Sequence, residues 1–434
     1  MPQSDSSNVE NGNPLRERIL NAAEKLFLEQ GYIGTTVEKI VTIARTSKRE
    51  FYRLFPNREA VLLETVSYLV SDENSIMSVP TGRLSNVLAK AGRLMYLDHT
   101  QARAMGLFRA SIAAAGRSPS LAVAAHRARS RATGLNVYLE EKLQTGKVVL
   151  DSPRLASIRF GYLSIDGLRF MIGASPLTGD ELDVHVNDVV DVTLNGHATS
   201  VFRKAPDICL PIPPLAKIGR VDDAEISDAA YSSRLDQSIW DKLLDVAWEE
   251  FSANGFCSAS VPAIAKNANF PRNTIYRRFK SKRELFQASA KRAMLQSFDV
   301  DFHQRSNLTV QDYMERVADH LLHCFLDPKN LALHKIMLAE AGREPEVMLN
   351  LYSWLAALME QRLAPMLACL VEQGVIRHDV SAKAAWRFFI LATFGSRFLF
   401  LPVDDQERRD LTKEAVRMFL FGFTSGSSNS DIKI

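Results

Sequence analysis

The sequence predicts an all-α chain made of one helical module used twice, and three observations carry that prediction. Apolar residues recur at helical spacing in both halves, residues 19–61 align with residues 243–285, and a Pro-rich seam at 206–233 separates the copies. The aligned segments need no gap at an offset of 224. Ten of their 43 positions are identical, among them Phe27/Phe251, Gly31/Gly255, Ile40/Ile264, Ala44/Ala268, Tyr52/Tyr276 and Phe55/Phe279. The echo continues downstream, where Ala115-Gly116-Arg117 mirrors Ala341-Gly342-Arg343 and Gly167-Leu168-Arg169-Phe170 mirrors Gly395-Ser396-Arg397-Phe398. A period this long marks a duplicated domain rather than a solenoid repeat.

Along the chain, residues 1–13 are Ser/Asn-rich and predict a disordered tail. Ile19, Ala22, Ala23, Leu26 and Phe27 then form the apolar stripe of a helix, as do Leu243, Val246, Ala247 and Phe251 in the second copy. Gly31 and Gly255 are expected to stop these helices with a left-handed residue. Thr35-x-x-Glu38, Ser47-x-x-Glu50 and Ser281-x-x-Glu284 fit capping boxes. Val37–Ile43, a turn at Ala44-Arg45-Thr46 and a helix from Ser47 through Phe55 describe a helix-turn-helix, whose second helix enters the major groove of DNA. Val261–Asn267, Ala268-Asn269-Phe270 and a helix from Pro271 or Arg272 to Phe279 repeat it. Asn269 suits a left-handed turn, and Pro271 stands where a missing N–H does no harm.

The resulting organisation is a three-helix reader at 14–62, a longer helical domain at 63–205, and the linker at 206–233. A second reader at 234–287, a second helical domain at 288–425 and a disordered tail at 426–434 complete it. Four Pro fall in the first nine linker residues, which predicts extended chain; its 28 residues reach roughly 30 Å as a coil.

Charge sharpens the functional reading. The 434 residues hold 53 Lys+Arg against 50 Asp+Glu, a net of +3 that names no partner. Residues 45–58 nevertheless carry Arg45, Lys48, Arg49, Arg53 and Arg58 against Glu50, and residues 269–283 carry six cations and no acid. Two local segments of +4 and +6 suit phosphate neutralisation on double-stranded DNA. Cys209, Cys257, Cys324 and Cys369 stand too far apart for a thiolate zinc site and fit a reducing cytoplasm. No uninterrupted run of 18 uncharged apolar residues points to a membrane. The sequence shows no nucleophile elbow, phosphate-binding Gly loop or dinucleotide fingerprint, so an enzyme is the weakest class and no cofactor is expected. His320-x-x-His323-Cys324 lacks a carboxylate partner at ligand spacing, so no metal is assigned.

With I-x-x-A-A-x-x-L-F-x-x-x-G-Y-x-x-T-T-V-x-x-I followed by S-K-R-E-F-Y-R-L-F-x-x-R-E, the first reader resembles the N-terminal domain of tetracycline-repressor (TetR) family regulators. Residues 14–205 and 234–425 each have the length of one family subunit. The resemblance implies a ligand-responsive repressor. Tyr52 and Tyr276 would meet phosphate through their hydroxyls, and Lys48, Arg49, Arg272 and Asn273 would face base edges or backbone. Arg58 and Lys282 would bind phosphate, and Thr36, Ser47, Arg53, Ser260, Thr274 and Arg277 would complete the DNA-binding set. Arg45 stands where the family has Gly, which strains it, and Glu50 replaces a Thr or Ser that Thr274 retains. Glu50 is read as the capping partner of Ser47, with a cytosine amine as its other possible acceptor role.

The resemblance also implies an apolar cavity for a small apolar or amphipathic effector. Met105, Phe108, Tyr162 and Phe170 are its candidates in the first copy, with Met337, Trp354, Phe389 and Phe394 in the second. Helices at about 155–175 and 184–204 would pair with 380–400 and 408–424, within one chain or between two chains. The competing reading is a small-molecule-binding or interaction protein in which one or both readers are inactive.

Overall fold

The computed structural model describes residues 13–72, 80–115, 134–215, 234–298, 308–378, 383–393 and 403–423. Among them the regular structure is helical; two isolated bridges, Ala198 with Ile376 and Cys209 with Thr309, are the only extended pairing. The helices fall into two compact units, one holding the described residues of 13–72 and 101–115 and the other holding 80–100 and everything from 134 onward.

The first unit is built from α1 (Pro14–Gly34), α2 (Val37–Ile43), α3 (Lys48–Leu54), α4 (Arg58–Asp72) and α6 (Ala102–Ala115). Asn13 caps α1 by accepting from the Leu15 N–H, and Pro14 fills the first helical position, where a missing donor is harmless. The stripe Ile19, Ala22, Ala23, Leu26 and Phe27 is buried against Ile40, Phe51, Phe55, Val61, Leu62, Leu107 and Ala110. Each Ile, Leu, Val or Phe among these contributes about 1.5–3 kcal/mol when fully buried, well above the surface ion pairs Arg16–Glu64 and Arg103–Glu24 at ~0–1 kcal/mol each. The apolar stripe therefore decides the packing. The expected boundary at 62/63 is not a boundary in this core, because Leu107, Ala110 and Ala114 of α6 belong to it.

The second unit contains α5 (Leu84–Thr100), α7 (Gly134–Gln144), α8 (Pro153–Ser164), α9 (Arg169–Ile172), α10 (Gly179–Asn195) and α11 (Ser200–Lys204). From the second copy it contains α12 (Arg234–Ser258), α13 (Val261–Asn267), α14 (Arg272–Arg278), α15 (Lys282–Phe298), α16 (Val310–Leu326), α17 (Pro328–Glu340), α18 (Pro345–Glu372), α19 (Ala384–Thr393) and α20 (Asp405–Phe421). Of these, α18 is long and apolar enough to cross a membrane by length and composition alone. It serves here as a core helix, burying Met348, Leu351, Leu355, Met359, Leu363 and Met366.

Helices α8 and α10 of the first copy pack on α19 and α20 of the second. The crossing is reciprocal. The Ala198 N–H donates to Leu420 O (2.7 Å) and His197 N–H to Phe419 O (2.9 Å), while Phe423 N–H returns to Thr193 O (2.8 Å). Gly196 (φ 58°) lies where a Cβ would come within 2.3 Å of Leu420 O, and Gly422 (φ 65°) where one would come within 2.5 Å of Leu194 O. Positions 196 and 422 are equivalents, as are 194 and 420, so patch i meets j and patch j meets i, the pattern of a two-fold interface. The buried Arg159 donates to Leu411 O, and its equivalent Arg387 pairs with Asp188.

Three expectations change in detail. The helix expected near 155–175 breaks at Asp166 (φ 50°) and Gly167 (φ 67°), where Tyr352 accepts from the Leu168 N–H (2.9 Å) and donates to Asp166 O (3.2 Å). The segment expected as 184–204 is α10 and the short α11, separated by Gly196. Residues 394–402 and 424–434, with Phe394 and Gly395–Phe398, lie outside the described residues, as do 1–12, 116–119 and residues 216–233 of the linker. The described linker residues, 206–215, are docked: Ile212 and Leu215 are buried, and Tyr313 Oη donates to Pro213 O at 2.7 Å.

Candidate nucleic-acid interface

Each reader begins with a glycine hinge. Gly31 has φ 65° and ψ 179°, and Gly255 has φ 73° and ψ 170°. This corrects the expected left-handed helix stop: the pair sits in the region that only glycine visits at little cost. The capping also shifts by one residue. Thr36, not Thr35, caps α2 by accepting from the Lys39 N–H (3.3 Å), while buried Thr35 donates to Gly31 O (2.8 Å). Ser260 caps α13 in the same way, accepting from Ala263 N–H at 3.4 Å.

The turn between the two helices is the same in both copies. Arg45 and Asn269 both have φ 51°. Thr46 N–H donates to Val41 O (3.0 Å) and Arg45 N–H to Thr42 O (3.3 Å); Phe270 to Ala265 (2.8 Å) and Asn269 to Lys266 (3.1 Å) repeat this Schellman pair. The arginine carries the left-handed strain that Asn bears more easily. Ser47 then caps α3, accepting from Glu50 N–H at 3.1 Å. Pro271 starts α14 without a side-chain cap bond.

Burial orients the recognition helices. Phe51 and Phe55 anchor α3, so that Lys48, Arg49, Tyr52 and Arg53 are exposed. Ile275 and Phe279 anchor α14, exposing Arg272, Asn273, Tyr276 and Arg277, with Thr274 half-buried like Glu50. Both phenols thus stand on the outward face with the cations. The caps Thr36, Ser47 and Ser260 keep a hydroxyl proton to donate while their oxygens accept from the backbone.

The charges are spent differently. Lys48 pairs with Glu38, and Arg53 pairs with Glu50 at 2.7 Å. The Lys48 ammonium holds the Glu38 carboxyl down at about 2, and the carboxylate raises the Lys48 pKa in return. Glu50's carboxylate is therefore engaged with Arg53 rather than serving as the return arm of a capping box. In the second reader Pro262 and Thr274 occupy the positions of those two acids, and Arg272 lies over the Tyr276 ring at 5.4 Å.

Arg58 and Lys282, expected to bind phosphate, each reach a backbone carbonyl beside the glycine hinge. The Arg58 guanidinium donates to Tyr32 O (3.0 Å) and Thr35 O and lies 3.8 Å from the Tyr32 ring centroid. Lys282 Nζ donates to Cys257 O (2.9 Å) and lies 5.1 Å from the Phe256 ring. Both cations donate to carbonyls just beyond the glycine hinge, which ties the first turn of α4 or α15 to the end of the opening helix. Tyr32 also donates to Glu59, and burial foremost raises its pKa. Around the second hinge, buried Glu340 accepts from the Cys257 N–H (3.3 Å) and thiol (3.0 Å), and Arg283 pairs with Glu344 at 2.8 Å.

The effector candidates lie among packed helices. Met105 and Phe108 are on α6 in the first unit. In the second unit Phe170 meets the Tyr96 ring edge-on at 5.0 Å, and Phe389 stacks on Trp386 at 5.2 Å. Met337 is fully buried, Tyr162 is half-buried on α8, and half-buried Trp354 has the Lys291 ammonium 5.5 Å from its ring. His320 faces Arg362 Nη2 at 2.9 Å, and no group of three ligating side chains gathers among the described residues.

Comparison with known proteins gives this geometry a family. The model of bacterial regulatory proteins of the tetR family matches residues 19–65 and again 243–289. The C-terminal domain model of AefR-like transcriptional repressors matches 86–198 and 312–423. The chain belongs to the TetR family, with its domain pair present twice.

This TetR-family protein is a helix-turn-helix transcriptional regulator. The regulator UidR of Escherichia coli K12 is 27% identical over 177 residues, which cover 40% of this chain and 84% of UidR. YuxN of Bacillus subtilis strain 168 is 42% identical over 50 residues, 12% of this chain and 17% of YuxN. Among solved structures, a TetR-family regulator from Mesorhizobium loti MAFF303099 aligns with 22% identity and a TM-score of 0.36, covering 41% of this chain and 93% of its own. The flavonoid-responsive regulator FrrA aligns with 26% identity and a TM-score of 0.35, covering 42% and 95%. The UidR match spans one copy's worth of this chain, and the YuxN match about the length of one reader. Sequence reasoning missed Glu38 as the partner of Lys48 and Glu340 as the clamp on the second hinge; ten residues and a turn, or 83 residues, separate those partners, and no periodicity links them.

Proposed function

We propose that this TetR-family regulator works as an intramolecular pseudo-dimer. One chain would supply both readers to an operator with unlike half-sites, and a small apolar or amphipathic effector would release it. The observation that supports this reading is the reciprocal crossing of residues 193–198 and 419–423, which uses up within one chain the surface a second subunit would need. The unlike half-sites follow from Lys48-Arg49-Glu50 against Arg272-Asn273-Thr274 at the helix starts that reach base edges. Release by an effector needs a ligand that prefers the arrangement of the readers unfit for DNA, and the aromatic and Met side chains between the helices offer it apolar surroundings. The reading places repression in the cytoplasm, on chromosomal DNA.

The deciding measurement is the mass of the complex with a duplex selected from random sequence. One chain of 48.5 kDa per duplex and a non-palindromic consensus are expected. Two chains per duplex with readers paired only between chains would remove the pseudo-dimer, and a perfect palindrome would remove the unlike half-sites.

A further inference from the structure

We infer that the two readers are unequal by design of their carboxylates: the second supplies most of the non-specific attraction to DNA, and the first is a self-neutralised, discriminating reader. This rests on the DNA-binding reading above and adds a division of labour within it. Equivalent windows make the point. Residues 36–58 contain Lys39, Arg45, Lys48, Arg49, Arg53 and Arg58; residues 260–282 contain Lys266, Arg272, Arg277, Arg278, Lys280 and Lys282. Six cations stand in each, so in charge these helix-turn-helix windows differ only in acids: Glu38 and Glu50 in the first and none in the second.

Geometry turns that count into a mechanism. Both acids engage exposed cations of the recognition helix, Glu38 with Lys48 and Glu50 with Arg53. A phosphate approaching Lys48 or Arg53 must displace a carboxylate that is already there and meets its repulsion afterwards. Fewer counterions are released per contact made, so attraction independent of sequence is weak. A correct base pair can compensate, since a guanine accepts from Arg53 or Lys48 while a cytosine amine donates to the freed Glu50. A wrong pair leaves the carboxylate facing a phosphate or an acceptor, a repulsive element that raises selectivity. In the second reader, Arg272 and Arg277 have no carboxylate partner among the described residues, and Thr274 half-buries a neutral side chain where Glu50 sits.

The test exchanges the acid between readers in the full-length chain and uses two probes, a 30-base-pair duplex of random sequence and the duplex selected by the wild-type chain. Glu38→Gln with Glu50→Thr should tighten binding to the random duplex by about three- to tenfold at low salt. The slope of log affinity against log salt should steepen by about one to two, and the preference for the selected duplex should shrink. Thr274→Glu, which copies the Glu50–Arg53 spacing into the second reader beside Arg277, should weaken random-duplex binding by about two- to fivefold. Unchanged affinity and slope in both variants would overturn the inequality while leaving DNA binding intact. A wild-type chain that retains neither duplex at any salt would overturn the DNA-binding reading itself, and the inference with it.

Discussion

The recognition helices of the two readers match position for position in which side chains are buried, yet the readers spend their surface charge differently. Phe51 and Phe55 in one, and Ile275 and Phe279 in the other, hold the recognition helix to the same face. Arg58 and Lys282 close the same hinge, one with a planar fork on two carbonyls and a Tyr ring, the other with one carbonyl and a Phe ring. Arg45 and Asn269 make the same turn at φ 51°. What diverges is the outer face, where Glu38 and Glu50 have no counterpart. Packing tolerates few alternatives at close density, whereas an exposed charge can change without disturbing the fold. A duplicated module can therefore keep its shape while its recognition chemistry drifts.

The hinge offers the largest effect with which to break this equivalence. Arg58→Ala removes two charge-assisted hydrogen bonds and a cation–π contact, and should destabilise the first reader by about 1–3 kcal/mol. Lys282→Ala removes one bond and a longer ring contact and should cost about half as much. Hydrogen exchange across 13–72 and 234–298 reads both losses. Equal losses would mean that the Arg fork contributes nothing beyond a point charge.

A smaller effect of opposite sign is expected at the turn. Arg45→Gly relieves a left-handed Arg and should stabilise the first reader by about 1 kcal/mol, whereas Asn269→Gly should be close to neutral, because Asn already visits that region. Denaturation midpoints of the two variants make the comparison, and a destabilised Arg45→Gly chain would count against strain.

The subtlest difference is protonation. The Glu38 carboxyl, held at about 2 by Lys48, lies below its ordinary range. Its stabilising contribution is therefore present at neutral pH and is lost as pH falls from the carboxylate range through about 2. An NMR titration of Glu38 should show that low midpoint, and Lys48→Met should return it to the ordinary range. An ordinary midpoint in the wild-type chain would remove the ion pair from the argument.

Much of this molecule was legible along the chain. The stripe from Ile19 to Phe27 and the helices Val37–Ile43 and Val261–Asn267 follow from periodicity, because burial at helical spacing leaves its mark on neighbouring residues, while the outward Tyr52 and Tyr276 were implied by the family resemblance. The carbonyl contacts of Arg58 and Lys282 did not follow, since a cation beside a basic helix reads the same whether it faces phosphate or a carbonyl 26 residues away. The glycine hinge was visible as glycine but not as the extended conformation with positive φ, which depends on where Thr35 and Arg58 place their hydrogen bonds.

By itself the sequence determined that one helical module occurs twice and that each copy opens with a basic helix-turn-helix, whose motif resembles the TetR family. Those are properties of composition, spacing and repetition, all local or directly comparable between the copies. Only the tertiary structure decided which charges remain available and how the copies meet. Lys48 and Arg53 are neutralised by acids on two different turns, and Gly196 and Gly422 allow backbones 226 residues apart to touch. Both depend on distances between parts of the chain whose separation in sequence carries no signal of their contact.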